Sequence, residues 1–283
     1  MSMLRAINTE LFARLSPREA CAAIRDAGFN AIDWSLNVEA DCDDLAAQLS
    51  AIRESGLRVV QASLPSPLFD KEDSVRTARL IECATEMIRL CHDAGCAYLI
   101  VPPISRQKEY GLSIADVRTR NVETYAALIP AAKEYGVTIC LENEIVTWWN
   151  NPYAGCCTYP EEAVELIDTL NAMAGKECFG LCLNTGHLDL ARSDFYAYLY
   201  KTGSRIKALH LNDNHGVKND RIIPMTGGII AWNYVCRALR SNGYRGDISL
   251  DVSMVPYADS MIPSALRLAA DSAREIQSRI EEG

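Results

Sequence analysis

Gly136-Val137-Thr138-Ile139-Cys140-Leu141-Glu142 ends one helical stretch and carries the chain into a short apolar strand that finishes on a carboxylate. The helical pattern before it, residues 114–135, stops at the glycine, and the strand pattern runs over 137–144. The same unit of helix, glycine and strand recurs along the whole chain. Upstream, strand patterns at 4–7, 31–36, 57–63 and 97–101 alternate with helical patterns at 17–26, 43–55 and 74–94. Ser16 is the expected cap of the first helix and Gly28 its stop. Downstream, strands at 179–184, 206–211 and 247–252 alternate with helices at 160–172, 194–200, 232–241 and 263–280. Eight alternations without a composition break predict an α/β chain folded as a (β/α)8 TIM barrel, one domain over residues 1–283. An open doubly wound sheet is the alternative. It is weakened because no glycine-rich phosphate fingerprint opens a helix after the first strand.

Bulk properties exclude several function classes. Hydrophobic residues make up 49% and charged residues 23%, the balance of a globular chain with ample core. The net charge of −9 comes without a basic stripe, which argues against nucleic acid as a partner. No apolar run is long enough for a membrane span, and the first residues lack a signal-peptide pattern, so a cytoplasmic location is expected. Eleven cysteines include no CxxC pair. Cys21, Cys83, Cys91, Cys140, Cys182 and Cys236 fall inside apolar patterns and read as small hydrophobes, reduced rather than bridged.

The informative residues sit near the ends of the last four strands: Ile139-Cys140-Leu141-Glu142, Leu181-Cys182-Leu183-Asn184, Ala208-Leu209-His210 and Ser249-Leu250-Asp251. Each ends on a polar residue after a leucine, with a small residue two places before it. Side chains alternate along a strand, so the leucines should face the helices. Cys140, Cys182, Ala208 and Ser249 should then fill one interior layer, and Glu142, Asn184, His210 and Asp251 the next layer up. Taken singly, such residues are usually solvated or hydrogen-bonded core groups. Together in one register they would be costly to bury unless they hold a cation or pair with one another. As a mixed oxygen and nitrogen set they suit Mn²⁺, Zn²⁺, Co²⁺ or Mg²⁺.

At these residues the chain resembles the sugar phosphate isomerase/epimerase family built on the xylose-isomerase-like TIM barrel. The resemblance covers essentially the whole chain. It is sharpest at Leu141-Glu142-Asn143, at Leu183-Asn184-Thr185-Gly186-His187, from His210 through Asn212-Asp213-Asn214-His215-Gly216, and at Asp251-Val252. It implies a divalent metal ion held by Glu142, Asn184, His210 and Asp251, with His187 contacting substrate and Asp213 beside the site. Three departures bear on that metal. Asn184 stands where Asp is usual and Asp251 where Glu is usual, while Arg221 follows Asp220 where His is common.

The function implied is isomerisation or epimerisation of a ketose or related sugar, phosphorylated or not, through an enediolate, with Glu142 and Asp251 exchanging the proton. Glu144 is either a second acid/base group or a solvated carboxylate. Trp34, Trp148 and Trp149 are candidates for an apolar wall against the sugar. Arg221, with Lys218 nearby, is a candidate for a substrate phosphate or carboxylate. Two alternatives stay open: a cyclic-polyol dehydratase using the same metal site, and a degenerate barrel that binds a sugar without turnover. The DNA-repair endonucleases of this fold use three zinc ions, which four histidines in an acidic chain suit poorly. Resemblance also implies a homodimer or homotetramer.

Overall fold

The computed structural model describes residues 3–36, 42–105, 112–149 and 151–281. In chain order the strands are β1 (Arg5–Asn8), β2 (Ala31–Ser35), β3 (Arg58–Ser63), β4 (Tyr98–Val101) and β5 (Thr138–Glu142). They continue with β6 (Ile145–Trp148), β7 (Asn151–Ala154), β8 (Phe179–Asn184), β9 (Ile206–His210) and β10 (Ile248–Leu250). Eight of them form one parallel sheet in the order β10-β1-β2-β3-β4-β5-β8-β9, and β6 and β7 pair separately as an antiparallel hairpin. The sheet closes where Leu211 N donates to Ser249 O and Asp251 N donates to Leu211 O. This is the eight-stranded barrel that the alternation predicts.

Helices cover the outside: α1 (Pro17–Ala27), α2 (Cys42–Ser55), α3 (Ser74–Asp93), α4 (Ile114–Ala126), α5 (Ile129–Tyr135), α6 (Pro160–Ala174), α7 (Thr185–Leu190), α8 (Phe195–Thr202), α9 (Trp232–Ser241) and α10 (Ile262–Glu281). Their starts follow from local chemistry. Ser16 and Glu19 form a capping box on α1, Ser113 and Asp116 another on α4, and Asp73 caps α3.

Three differences from the sequence reading have physical causes. The single helix expected over 114–135 is two, because Pro130 enters at the start of α5 and cannot donate to the turn before it. The β6–β7 hairpin stands where a loop was expected. Its turn uses Trp149 at φ 50°, without the glycine that usually signals such a turn. Helix α7 follows β8 directly, with Asn184 as both last strand residue and N-cap.

Inside the barrel the expected layer forms. Ile100, Cys140, Cys182 and Ala208 pack together below the C-terminal strand ends. Leu141, Leu183, Leu209 and Leu250 belong to the outer core between sheet and helices. Ser249 shares the inward face, but its hydroxyl reaches Asp33 Oδ2 at 3.3 Å. Tyr125 of α4 is fully buried and donates to Pro102 O at 2.6 Å, tying a helix to the chain just beyond β4. Replacing it with Phe leaves that carbonyl unpaired. Tyr125→Phe is therefore expected to lower stability by about 1–2 kcal/mol in urea unfolding, with a native-like circular dichroism spectrum.

Candidate active site

Strand β2 brings a residue to the site that the four-strand register did not include. Alternation along Ala31-Ile32-Asp33-Trp34-Ser35 turns Ile32 and Trp34 toward the helices and Asp33 into the barrel. Asp33 is completely buried. It accepts from Gln61 Nε2 at 2.7 Å and Ser63 Oγ at 2.5 Å, and it meets His210 Nε2 at 2.9 Å. The other ring nitrogen of His210, Nδ1, lies 2.7 Å from Glu142 Oε1. Ionised carboxylates only accept, so a ring held between two of them carries both protons and is an imidazolium. Burial works against that charge, but Cys182, Glu142 and Asp33 together raise the His210 pKa well above the ordinary imidazole range.

Glu142 Oε1 also accepts from Asn184 Nδ2 at 2.7 Å. Burial favours its neutral form, yet the charge and hydrogen bond of His210 outweigh burial and hold the pKa below the usual carboxylate value. Its second oxygen has no hydrogen bond among the described residues, and the side chain lines a cavity at the barrel mouth. Glu144 lines the same cavity in the opposite state. Burial, and next the negative charge of Glu142, push its pKa well above the usual range. The hairpin fixes its backbone: Glu144 N donates to Cys156 O, and Gly155 N donates to Glu144 O. A side chain on Gly155 would come within 2.7 Å of that carbonyl. His187 completes this wall. Its Nδ1 faces Asn143 O at 2.9 Å, so Nδ1 carries the proton, and Nε2 accepts from Asn219 Nδ2 at 2.9 Å.

Asp251 lies across the mouth. Its Oδ1 accepts from Asn8 Nδ2 at 2.8 Å and Arg221 Nη2 at 2.6 Å, and its Oδ2 accepts from Arg221 Nε at 3.1 Å. Burial would raise its pKa, but the Arg221 charge leads a set of contacts that bring it down to about 2. Arg221 holds the left-handed conformation, φ 49°, a costly one for a non-glycine residue. Its carbonyl accepts from Ser253 N, and the next residue pairs with Asp213, so the loop is pinned on both sides.

Two groups of side chains bring potential metal-ligand atoms within 4.8 Å of one another: Glu142 with Cys182 and His210, and Glu142 with Glu144 and His187. The four positions that the family pattern assigns to the metal do not fit one in this arrangement. Asn184 Oδ1, the only atom through which an amide ligates, accepts from His187 N and Asn212 Nδ2, both at 3.1 Å. The amide turns its NH₂ toward the site. Both oxygens of Asp251 are engaged by Arg221, and both nitrogens of His210 face carboxylates. Cys182 would have to ionise to ligate, and burial pushes its thiol up to about 12.

Other expected residues lie elsewhere. Trp34 is completely buried between strand and helix, donating to Gln48 Oε1 at 2.8 Å, and forms no wall of the mouth. Asp213 is 1% exposed and accepts from Trp232 Nε1, Ile230 N and Asn214 N. It pins its own loop and does not touch His210. Trp148 and Trp149 sit on the hairpin, 42% and 81% exposed, and are not among the cavity-lining side chains. Lys218 pairs with Asp220. Asn8, Asp33 and Asn219 are site residues that the register did not reveal. Only Asp33 carries a signal in sequence, a charge inside an otherwise buried strand.

The sequence profile described as xylose isomerase-like TIM barrel matches residues 21–277. Among curated relatives, the inosose isomerase of Halalkalibacterium halodurans is 21% identical over 217 residues, 75% of this chain and 72% of that protein. Two uncharacterised proteins, from Sinorhizobium fredii and Methanocaldococcus jannaschii, are 27% and 23% identical, over 34% and 60% of this chain. These matches span only 31% and 56% of those proteins' own lengths. Two solved structures share the fold. An L-ribulose 3-epimerase superposes with TM-score 0.75 at 20% identity, covering 99% of this chain and 95% of its own. A 3-keto-D-glucoside 4-epimerase from E. coli gives 0.74 at 15% identity, covering 98% and 100%. With the profile matched across nearly all of a closed eight-stranded barrel, the chain belongs to the xylose isomerase-like TIM barrel family.

Proposed function

We propose that this protein is a sugar isomerase or epimerase that moves a proton on the carbon beside a ketone, in a ketose or a cyclic keto-polyol. The observation that carries the reading is the Glu142–Glu144 pair. Two carboxyl groups on one cavity wall are set in opposite protonation states by their surroundings, which is how one site supplies both a base and an acid. Glu142 Oε2 takes the proton from carbon. The C–H electron pair becomes the carbon–carbon double bond of an enediol, and the carbonyl π pair moves onto oxygen, where Glu144 delivers its proton. Their oxygens lie within 4.8 Å, a spacing that lets the base meet the carbon while the acid meets the adjoining oxygen. Glu142 returns the proton to the neighbouring carbon while Glu144 takes the proton of the hydroxyl that becomes the new carbonyl, which isomerises the sugar. If the enediol first turns its other face to Glu142, return to the original carbon, with Glu144 taking back the proton it gave, epimerises it. The names of the relatives, an inosose isomerase and sugar epimerases, agree with this chemistry. Asp251 is given no proton-transfer role, because its oxygens are already committed. The implied divalent metal has no step here either.

The cavity holds about 440 Å³, within the range of small-molecule sites. Glu10, Glu142, Glu144 and Asp251 line it, and the lining cations Arg221 and His210 are both paired with carboxylates. That balance favours a neutral polyhydroxy ketone over a sugar phosphate. Isothermal titration should therefore show weaker binding of a ketose phosphate than of the same unphosphorylated ketose.

The direct test is deuterium uptake from D₂O into D-fructose, D-tagatose and an inosose. The parent is expected to label at least one of them, and Glu142→Gln to slow labelling by about 10²-fold or more. Undiminished labelling in Glu142→Gln would reject the assignment, and binding without labelling in the parent would make the chain a sugar-binding barrel. Glu144 acts protonated, so the rate should fall as pH rises through its raised pKa. Glu144→Gln should lack that alkaline limb.

A further inference from the structure

We infer that the site works without a bound divalent metal and that the Arg221 guanidinium stands in for it, binding the substrate oxygens beside the reacting carbon. The inference rests on the functional reading above for its chemistry, but its structural half stands alone. Enediol chemistry on a hydroxy-ketone needs a positive group near two vicinal oxygens, which a chelated ion can provide. At two of the four strand-end positions that the family pattern gives to such an ion, Asn184 and Asp251, the ligand atoms are used otherwise. Asn184 presents N–H bonds where a ligand needs a lone pair, and its oxygen is locked by His187 N and Asn212 Nδ2. The lock is steric as well. A side chain on Gly186 would come within 2.0 Å of Asn212 Oδ1, so the glycine is what lets that amide approach. Asp251 gives both oxygens to a guanidinium rather than to a metal.

Arg221 is built into this place. It enters from a left-handed backbone position, donates from its Nε and Nη2 edge to Asp251, and is one of the residues that line the cavity. Its Nη1 makes no hydrogen bond among the described residues, with Glu10 Oε1 3.8 Å away. Two N–H bonds on that nitrogen are thus available to a vicinal pair of substrate oxygens. A guanidinium and a metal ion in the same small volume would repel each other and compete for Asp251. One cation excludes the other.

The test reads metal directly. Parent protein is incubated with Mn²⁺, Co²⁺ or Zn²⁺, desalted, and its metal measured by mass spectrometry beside the double variant Asn184→Asp/Arg221→His. The parent is expected to hold less than about 0.1 ion per chain, and the variant, with its carboxylate restored and guanidinium removed, about one. Deuterium exchange by the parent should be unchanged in EDTA, and Arg221→Met should lose about tenfold or more of it. Near-stoichiometric metal in the parent, or exchange abolished by EDTA and restored by one ion, overturns the inference. If the double variant does not fold, the parent's metal content decides. If the parent shows no exchange with any ketone, the functional reading fails, while the metal measurement still judges whether Arg221 excludes the ion.

Discussion

The His210 imidazolium, held between Asp33 and Glu142, is the interaction on which the rest of the mouth depends. It joins β2, β9 and β5 across the barrel interior, 2.9 Å on one side and 2.7 Å on the other. Without it two buried carboxylates would face each other with no countercharge. Removing one partner of such a set costs about 3–5 kcal/mol, because the remaining charges are left unpaired in a poorly solvated place. In the proposed mechanism the same ring decides which carboxyl is the base. By donating to Glu142 it keeps that group ionised, and the negative charge then helps keep Glu144 protonated.

Around this centre the site is held by amides and backbone rather than by further ion pairs. Asn143 and Asn184 clamp β5 to β8: Asn143 Nδ2 donates to Asn184 O, and Asn184 N donates to Asn143 Oδ1. Asn184 then caps α7, which delivers His187 to the cavity wall. The Asn143 and Asn184 side chains bond to backbone or side chains of neighbouring elements, so the strand ends cannot shift independently. The price is that Asn184 has no oxygen left for a ligand. Rigidity and metal binding make opposite demands on the same atom.

Across the cavity, Arg221 solves a charge problem that His210 does not reach. Asp251 is buried, and a lone carboxylate there would be expensive. Arg221 from the loop after β9 donates to both of its oxygens, and Asn8 at the end of β1 adds a second donor to Oδ1. The barrel thus carries two separate carboxylate–cation clusters, one built on the His210 imidazolium and one on the Arg221 guanidinium, and both line the substrate-sized cavity. In the mechanism proposed above, that division separates proton transfer from charge stabilisation without asking one group to do both.

Much of this was legible in the chain itself. The alternation of helix, glycine and strand specified the barrel, because periodicity and turn chemistry are local properties. The polar-after-leucine register placed Glu142, Asn184, His210 and Asp251 on one inward layer, since alternation along a strand is fixed by backbone geometry. Tertiary structure alone decided what each of those atoms meets. Asp33 and Asn8 come from strands distant in sequence, and Trp34 leaves the site simply because it falls one residue out of step with Asp33. The roles of Asn184 and Arg221 depend on which side of an amide faces inward and on a backbone turn at φ 49°, neither of which residue order encodes. Position along a strand is a local fact; hydrogen-bond partners across a closed barrel exist only once the ends of the sheet have met.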